Sequence, residues 1–275
     1  MKMQPMSEHV GIEVSDVDLA AMDDADLAAL KDAVFQHGVA AVRGQAISPE
    51  QHIAFARRWG GIDINNYFPV NGKFAEIAEV RKAESQTTNI GGGWHTDHSY
   101  DQVPAMGSIL VARELPPSGG DTLFASMGAA YDSLSDGLKA TLETLKAVHS
   151  ADHIYREGGY YAQTDMADDM RGHDQITRAV HPVVIRHPVT GRKVLYVNGA
   201  FTLHFEGWTR EESMPLLNYL VSVGARAEFA CRLQWQEGTV AIWDNRSTWH
   251  LAMNDYHGHK RVMHRITLSG VPLAA

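Results

Sequence analysis

Short apolar runs, several of them alternating with polar residues, recur along this chain with the two-residue period of β-strands. They lie at residues 10–17, 39–42, 76–81, 108–112, 121–126, 147–149, 182–186, 193–197, 228–235, 239–243 and 261–268. The turn at 187–191 joins two of these runs and predicts a hairpin. Because strands and helices do not alternate regularly, the pattern favours a β-sandwich or barrel over a parallel α/β sheet.

Helical periodicity is confined to a few segments. Residues 24–36 combine an apolar face with an acidic first turn, which is typical of a helix N-terminus. Capping boxes open two more predicted helices, at 48–59 and 209–223, and further helices are expected within 127–145. The fold class predicted from these patterns is mainly β with peripheral helices.

Two segments lack clear periodicity over much of their length. One is a candidate lid or active-site loop at about 61–93, which ends in Gly91-Gly92-Gly93, and the other is an insertion at about 151–178. Each is either a binding loop or a surface loop without a functional role. Since the chain contains no internal repeat or Pro/Ser-rich linker, we expect a single domain over residues 1–275.

Composition narrows the possible partners and the setting. A formal net charge of -9 argues against binding to nucleic acid or to an anionic membrane surface. No apolar run is long enough to span a bilayer, and no signal peptide is apparent. Cys231 is the only cysteine, which excludes an intrachain disulfide and a zinc–thiolate cluster. We therefore expect a cytoplasmic protein, and the sequence is compatible with a homo-oligomer.

The segment Trp94-His95-Thr96-Asp97 contains two potential metal ligands. On a β-strand His95 and Asp97 would point to the same side, because side chains alternate between faces. A third ligand must come from elsewhere, and His250 at the end of Trp243–His250 is the candidate. Two histidines and one carboxylate on one side of a metal are the facial arrangement of non-haem Fe(II) oxygenases.

Residues near the C-terminus add predicted anion-binding groups. Arg261 and Arg265 share a strand face with Met263, and two arginines in one interior are costly unless anions meet them. A guanidinium group can grip a carboxylate through two parallel hydrogen bonds. Thr122, after a Gly-Gly turn, could add a hydroxyl donor. A metal with adjacent anion sites would suit a dicarboxylate that chelates iron.

These motifs resemble the Fe(II)/2-oxoglutarate-dependent dioxygenases of the taurine dioxygenase and aryloxyalkanoate (phenoxy-herbicide) dioxygenase family over nearly the whole length. The matching segments are Trp94-His95-Thr96-Asp97, Leu115-Pro116-Pro117-Ser118-Gly119-Gly120-Asp121-Thr122-Leu123, His181-Pro182-Val183-Val184, His187-Pro188, Leu195-Tyr196-Val197-Asn198, Trp243-Asp244-Asn245-Arg246 with His250, and Arg261-Val262-Met263-His264-Arg265.

The resemblance implies a distorted double-stranded β-helix (jelly roll) with helices outside. It implies that His95, Asp97 and His250 ligate Fe(II). Arg261 and Thr122 would hold the distal carboxylate of 2-oxoglutarate. Arg265 would meet the anionic group of the primary substrate or the inner carboxylate of the cosubstrate. The expected reaction consumes 2-oxoglutarate and O2, hydroxylates the primary substrate and releases succinate and CO2.

The resemblance also suggests substrate-contacting positions. Phe201 matches an aromatic residue of the taurine dioxygenase pocket, whereas Asn65, Phe68 and Gly91 stand where that enzyme uses a histidine, a tyrosine and an asparagine. The loss of these polar groups argues against taurine. It favours a small anionic organic substrate with a larger apolar body, such as an aryloxyalkanoate, an alkyl sulfate or a sulfonate. Hydroxylation beside a heteroatom could lead to C–O or C–S cleavage.

Two other classes of protein fit part of the pattern. A zinc hydrolase could use two histidines and a carboxylate with one open position, but it would have no use for Thr122, Arg261 and Arg265 together. A non-catalytic protein that binds a metal or a 2-oxo acid could share the fold, although it would be expected to lack a metal ligand.

Overall fold

The computed structural model describes residues 1–65, 67–170 and 178–275, and within these ranges β-strands predominate. The strands are β1 (Lys2–Pro5), β2 (Ile12–Ser15), β3 (Val39–Val42), β4 (Ile62–Asp63), β5 (Val70–Asn71), β6 (Phe74–Lys82), β7 (Gly107–Glu114), β8 (Thr122–Ser126), β9 (Lys146–Ser150), β10 (Arg178–Pro182), β11 (Val184–Arg186), β12 (Lys193–Leu195), β13 (Thr202–Phe205), β14 (Ala230–Leu233), β15 (Val240–Asp244), β16 (Thr248–Ala252) and β17 (Arg261–Leu268).

Six α-helices accompany the strands in the described part of the chain. They are α1 (Asp24–His37), α2 (Pro49–Arg57), α3 (Met127–Asp132), α4 (Asp136–Leu142), α5 (Asp152–Tyr155) and α6 (Arg210–Gly224). Both predicted capping boxes are present, at the starts of α2 and α6, where they satisfy backbone groups that the first helical turn leaves free. The prediction of a mainly β protein with peripheral helices is confirmed.

Two sheets enclose the interior in which the candidate site lies. The larger sheet has the strand order β1-β2-β3-β15-β7-β17-β6-β5, with β4 paired to β17, and the smaller has the order β14-β8-β16. Phe124 of the small sheet and Leu110, Trp243 and Met263 of the large sheet belong to one buried apolar cluster. The sheets therefore face each other across a shared core.

The helices cover the outer faces of this pair of sheets. Apolar residues of α1 and α2 form one core with β2, β3, β7, β15 and β17 of the large sheet. Apolar residues of α3 and α6 form another with Ala125 and Trp249 of the small sheet and with β9, β11 and β12. Burial from both sides holds the strands that carry the site.

The two segments with weak periodicity contain regular structure. The strand predicted at 76–81 is present as β6 (residues 74–82), which is paired on either side with β5 and β17 and therefore divides segment 61–93. Residues 151–170 contain α5 and two short 3-10 helices, whereas residues 171–177 of the predicted insertion lie outside the described residues. None of the described helices is long and apolar enough to cross a membrane.

Candidate active site

His95 and His250 are brought together by backbone pairing. The His95 amide donates to the His250 carbonyl at 3.1 Å, and the His250 amide donates to the His95 carbonyl at 2.8 Å. Their rings lie 4.1 Å apart between centroids. The prediction that His95 and Asp97 share a regular strand was wrong: His95 forms an isolated bridge with β16, and Asp97 lies in a turn. Only the contact with a distant strand gives this segment its extended backbone.

The Asp97 carboxylate completes a compact set of three ligands. Its Oδ1 is 3.5 Å from His95 Nε2 and its Oδ2 is 3.3 Å from His250 Nε2. The three donor atoms lie within 4.8 Å of one another. Metal bonds of about 2.1 Å at right angles would place neighbouring ligand atoms about 3 Å apart. The residues therefore fit a facial metal site with little adjustment.

The protonation states of the ligands also suit a cation. His95 Nδ1 lies 2.7 Å from the Gly93 carbonyl, so this nitrogen carries the proton and Nε2 is free to bind a metal. Burial, together with the neighbouring His95, lowers the pKa of His250 to about 4, which keeps its imidazole neutral near pH 7. Burial opposes ionisation of Asp97, but Arg265 and His250 outweigh it and hold its pKa well below the usual range.

Arg265 lies directly beside the three ligands. Its Nη2 is 2.8 Å from Asp97 Oδ2, yet the contact is an ion pair without hydrogen-bond geometry, and both buried atoms lack a hydrogen-bond partner. Its Nε donates to Ser108 Oγ at 3.1 Å. Buried atoms without partners are unusual, and here they line a cavity. They indicate that an ion or ligand completes the site.

Arg261 and Thr122 meet at one end of the same cavity, as predicted. Arg261 is buried, its Nε has no hydrogen-bond partner, and burial lowers the pKa of its guanidinium group. Gly120 has a φ of +70°, and a Cβ added there would lie 3.2 Å from Arg261 Cδ. The Gly-Gly turn is thus needed both for its backbone conformation and for the close approach of Arg261.

Trp235 is a residue of this site that sequence analysis missed. Its indole N–H donates to Thr122 Oγ1 at 3.0 Å, which leaves the Thr122 hydroxyl hydrogen free to be donated into the cavity. The Arg261 guanidinium lies 5.7 Å from the Trp235 ring. Trp235 follows the end of β14 by two positions, and no local pattern in the sequence marked it.

The cavity that contains these groups has a volume of about 630 Å³. Phe68, Phe201 and Gly91, the residues predicted to contact the substrate, line this cavity. Tyr155 and Tyr161 also line it, and sequence analysis missed both. Both come from the Tyr-rich segment after residue 150, whose composition was the only signal in the sequence. Candidate metal ligands beside aromatic walls suit an apolar molecule with an anionic group.

Asn65 has a different position from the one expected. It does not line the cavity, and its Oδ1 accepts hydrogen bonds from the amides of Tyr67 at 2.8 Å and Phe68 at 3.1 Å. The side chain therefore shapes the backbone turn that presents Phe68. Its predicted contact with the substrate is corrected to an indirect role.

Several motif residues outside the ligand set support the site. Asn198 Oδ1 accepts hydrogen bonds from the amides of Ala200 and Phe201, and so orients Phe201. The buried Asp244 carboxylate binds Arg246 and, at 2.9 Å, His187 Nε2. These bonds fix the turn between β15 and β16, and that turn sets where His250 falls. These motif residues are therefore explained by the structural contacts they make, although they are not candidate metal ligands.

Comparison with known proteins agrees with this geometry. Residues 2–267 match the taurine catabolism dioxygenase TauD, TfdA family. The chain belongs to this family.

It is 34% identical to an alkylsulfatase of Acinetobacter baylyi, over 98% of this chain and 85% of that protein. It is 33% identical to an (S)-phenoxypropionate/alpha-ketoglutarate-dioxygenase of Sphingobium herbicidovorans, over 98% of this chain and 94% of that protein. A crystal structure of a taurine dioxygenase from Burkholderia xenovorans superimposes with a TM-score of 0.83 at 32% identity, covering 100% of this chain and 91% of that one.

Family membership confirms the predicted class of enzyme. The chain is an oxidoreductase, a 2-oxoglutarate-dependent dioxygenase that uses O2 and a metal. This outcome favours the dioxygenase interpretation over the zinc hydrolase and the non-catalytic binding protein. The named relatives act on sulfate esters, sulfonates and phenoxyalkanoates, which are small organic molecules.

Proposed function

We propose that His95, Asp97 and His250 hold Fe(II), and that Arg261 and Thr122 bind the distal carboxylate of 2-oxoglutarate. The proposal is supported chiefly by the three ligand atoms within 4.8 Å of one another at the wall of the cavity. Bound iron would supply activation of O2, coupled to decarboxylation of 2-oxoglutarate to succinate and CO2. With Asp97 as the third protein ligand, the positions that remain for exogenous ligands would all lie on one face of the metal. A site with two histidines alone would not impose this restriction.

The primary substrate that we propose is a small anionic molecule with an apolar body, of the alkyl sulfate, sulfonate or aryloxyalkanoate type. Arg265 would attract the anion, and Phe68 and Phe201 would pack against the body. The alkylsulfatase and the phenoxypropionate dioxygenase among the relatives support this class. Hydroxylation at the carbon next to oxygen or sulfur would then lead to C–O or C–S cleavage.

We also propose that the two facing sheets form a distorted double-stranded β-helix within one domain over residues 1–275. The supporting observation is that both sheets contribute to one site, the small sheet through Thr122 and His250 and the large sheet through Arg261 and Arg265. In this architecture the ends of segment 61–93 and residues 151–170 act together as the lid.

Oxygen-dependent succinate formation tests the reaction and the metal. Purified protein with Fe(II), 2-oxoglutarate and a panel of alkyl sulfates and aryloxyalkanoates should form succinate only in the presence of O2. His250→Ala should abolish both metal binding and succinate formation. Without O2, an absorption band of the iron–2-oxoglutarate complex should shift when a true substrate is added. Succinate formation that survives loss of His250 would contradict the ligand assignment.

Removing the guanidinium of Arg261 tests the cosubstrate site. A hydrogen bond to a charged group is worth about 1.5–3 kcal/mol, so Arg261→Ala should raise the 2-oxoglutarate concentration needed for half-maximal rate by about one to two orders of magnitude. Arg178→Ala, which changes an exposed arginine, is the control. An unchanged requirement for 2-oxoglutarate in Arg261→Ala would refute this role.

A further inference from the structure

Tyr155 occupies an unusually constrained position in the aromatic wall of the cavity. Its ring is stacked on Tyr67, with centroids 4.6 Å apart and planes at 26°, and on Tyr161 at 5.8 Å and 17°. Phe68 meets it edge-on at 6.4 Å and 83°. Contacts on several sides fix the direction in which the phenol points.

The Tyr155 phenol lies close enough to two charged groups of the cavity for both to act on it. Tyr155 lines the cavity together with Asp97 and Arg265. The two charges act on its phenol in opposite senses, Asp97 raising and Arg265 lowering its pKa. Among the described residues no hydrogen bond engages the hydroxyl, which leaves its donor and acceptor positions available to a molecule in the cavity.

An anion in this cavity can use donors in addition to Arg265. Arg265 Nε is bonded to Ser108, and Nη2 lies against Asp97 at 2.8 Å. A carboxylate or sulfate has two or three charged oxygens, and each is a strong acceptor. Other polar side chains of the described lining already take part in hydrogen bonds: Asn89, His153 and Asn254 with backbone carbonyls, and the Tyr161 hydroxyl with the Gly91 amide. The Tyr155 phenol is not engaged in this way.

We infer that Tyr155 is a specificity-determining residue, whose hydroxyl donates a hydrogen bond to the anionic group of the primary substrate beside Arg265. This inference rests on the anionic substrate class proposed above. Burial raises the pKa of Tyr155 well above its ordinary value, so the phenol remains protonated and acts as a donor at neutral pH. Ring stacking holds this donor in place before the substrate arrives, which reduces the entropic cost of binding.

Tyr155→Phe tests the inference, because it removes the hydroxyl and retains the ring. The control is Tyr219→Phe, which removes an exposed hydroxyl from α6. Two pairs of probes are titrated by calorimetry under nitrogen in the presence of 2-oxoglutarate: octyl sulfate with 1-octanol, and 2,4-dichlorophenoxyacetate with its methyl ester. In each pair the first molecule is anionic and the second is neutral.

Tyr155→Phe should weaken binding of the tightest anionic probe by about tenfold or more, and should leave the neutral partner and the 2-oxoglutarate requirement unchanged. In turnover, the KM for the anion should rise more than kcat falls. Equal weakening of both probes, or no change for the anion, would overturn the inference and leave the anionic substrate class intact. If the wild-type protein itself does not prefer the anionic probes, the proposed substrate class fails, and the role of Tyr155 fails with it.

Discussion

At the scale of single residues, Gly91 shows most clearly where a side chain would not fit beside the candidate metal site. Its φ is +77°, and a Cβ added there would lie 3.1 Å from Cε1 of His95. From the sequence we expected this glycine to remove a polar side chain from the substrate pocket. The structure adds a second reason, because any larger residue would press on a ligand imidazole.

We predict that Gly91→Ala weakens metal binding, since the methyl group must displace His95 or strain the backbone. Changes around metal-bound histidines typically cost 10–100-fold in affinity, and we expect about tenfold here. Gly93→Ala is a matched control, because its Cβ would meet no atom within 4 Å. Equilibrium titration with Mn(II) or Fe(II) measures both variants. Equal affinities for the two would show that the approach to His95 does not matter.

The candidate ligands could be proposed from the sequence, whereas several of their neighbours could not. His95, Asp97 and His250 could be proposed because ligand chemistry restricts the residue types and the motifs around them are distinctive, and the structure brings the three side chains together. Trp235 and Tyr155 could not, since an aromatic residue after a strand or in a loop has the same local sequence whether it faces a cavity or the solvent. Only the three-dimensional fold determines the direction of those rings.

At the scale of elements, polar bonds join residues 151–170 to the segment that leads into the metal site. The Asp165 carboxylate accepts hydrogen bonds from the Thr87 amide at 2.5 Å, from Thr87 Oγ1 at 2.8 Å and from the Thr88 amide at 3.1 Å. Asp169 forms an ion pair with Arg81 at 2.6 Å. These bonds connect two segments that are far apart in the sequence and hold them against each other.

We predict that Asp165→Ala loosens the contact between these two segments. Loss of the acceptor leaves the Thr87 and Thr88 amides to water, so their hydrogen exchange should accelerate by about tenfold or more. Asp168→Ala, which changes an exposed carboxylate without a hydrogen bond in the described structure, is the control. Exchange measured by NMR reports each amide. If the Gly91 amide, which donates to the Tyr161 hydroxyl at 3.1 Å, remains protected in Asp165→Ala, the two segments open independently.

Strand prediction succeeded where burial imposes a local pattern and failed where pairing is imposed from a distance. The predicted runs at 39–42 and 261–268 coincide with β3 and β17. The alternating or continuously apolar pattern of each run results from burial of its strand between layers. Residues 94–97 have no such pattern, because a single bridge to His250 holds them. The run at 76–81, by contrast, alternates and was predicted as a strand, and it is present as β6, although its pairing with β17 could not be read from the local sequence.

At the scale of the whole molecule, two buried histidines outside the candidate site link stability to pH. His52 in α2 and His149 in β9 are fully buried, and burial lowers the pKa of each to about 3. The folded protein therefore keeps both imidazoles neutral, whereas the unfolded chain binds protons at an ordinary pKa of about 6.5. Their contribution to stability is complete above pH 6.5 and is lost as the pH falls toward 3.

We predict that the free energy of unfolding falls by about 2 kcal/mol for each of these histidines between pH 7 and pH 5, because only the unfolded state gains the protons. His52→Gln should reduce the loss by about this amount, whereas the exposed His257→Gln should not. Urea unfolding of the metal-free protein at the two pH values measures the difference. An identical pH dependence in wild type and His52→Gln would contradict the burial argument.

The pairing of His95 with His250 has a consequence for the life of the protein in the cell. The adjacent hydrogen bond from Thr96 Oγ1 to the Asn245 carbonyl joins positions that are 149 residues apart. While the ribosome is still translating the last third of the chain, half of the site exists without its partner strand. With the ligand set proposed above, such a nascent chain offers a metal ion only one histidine and one carboxylate. We therefore expect metal loading to follow synthesis of the segment that contains His250, and we expect a translation product truncated before it to bind the ion weakly.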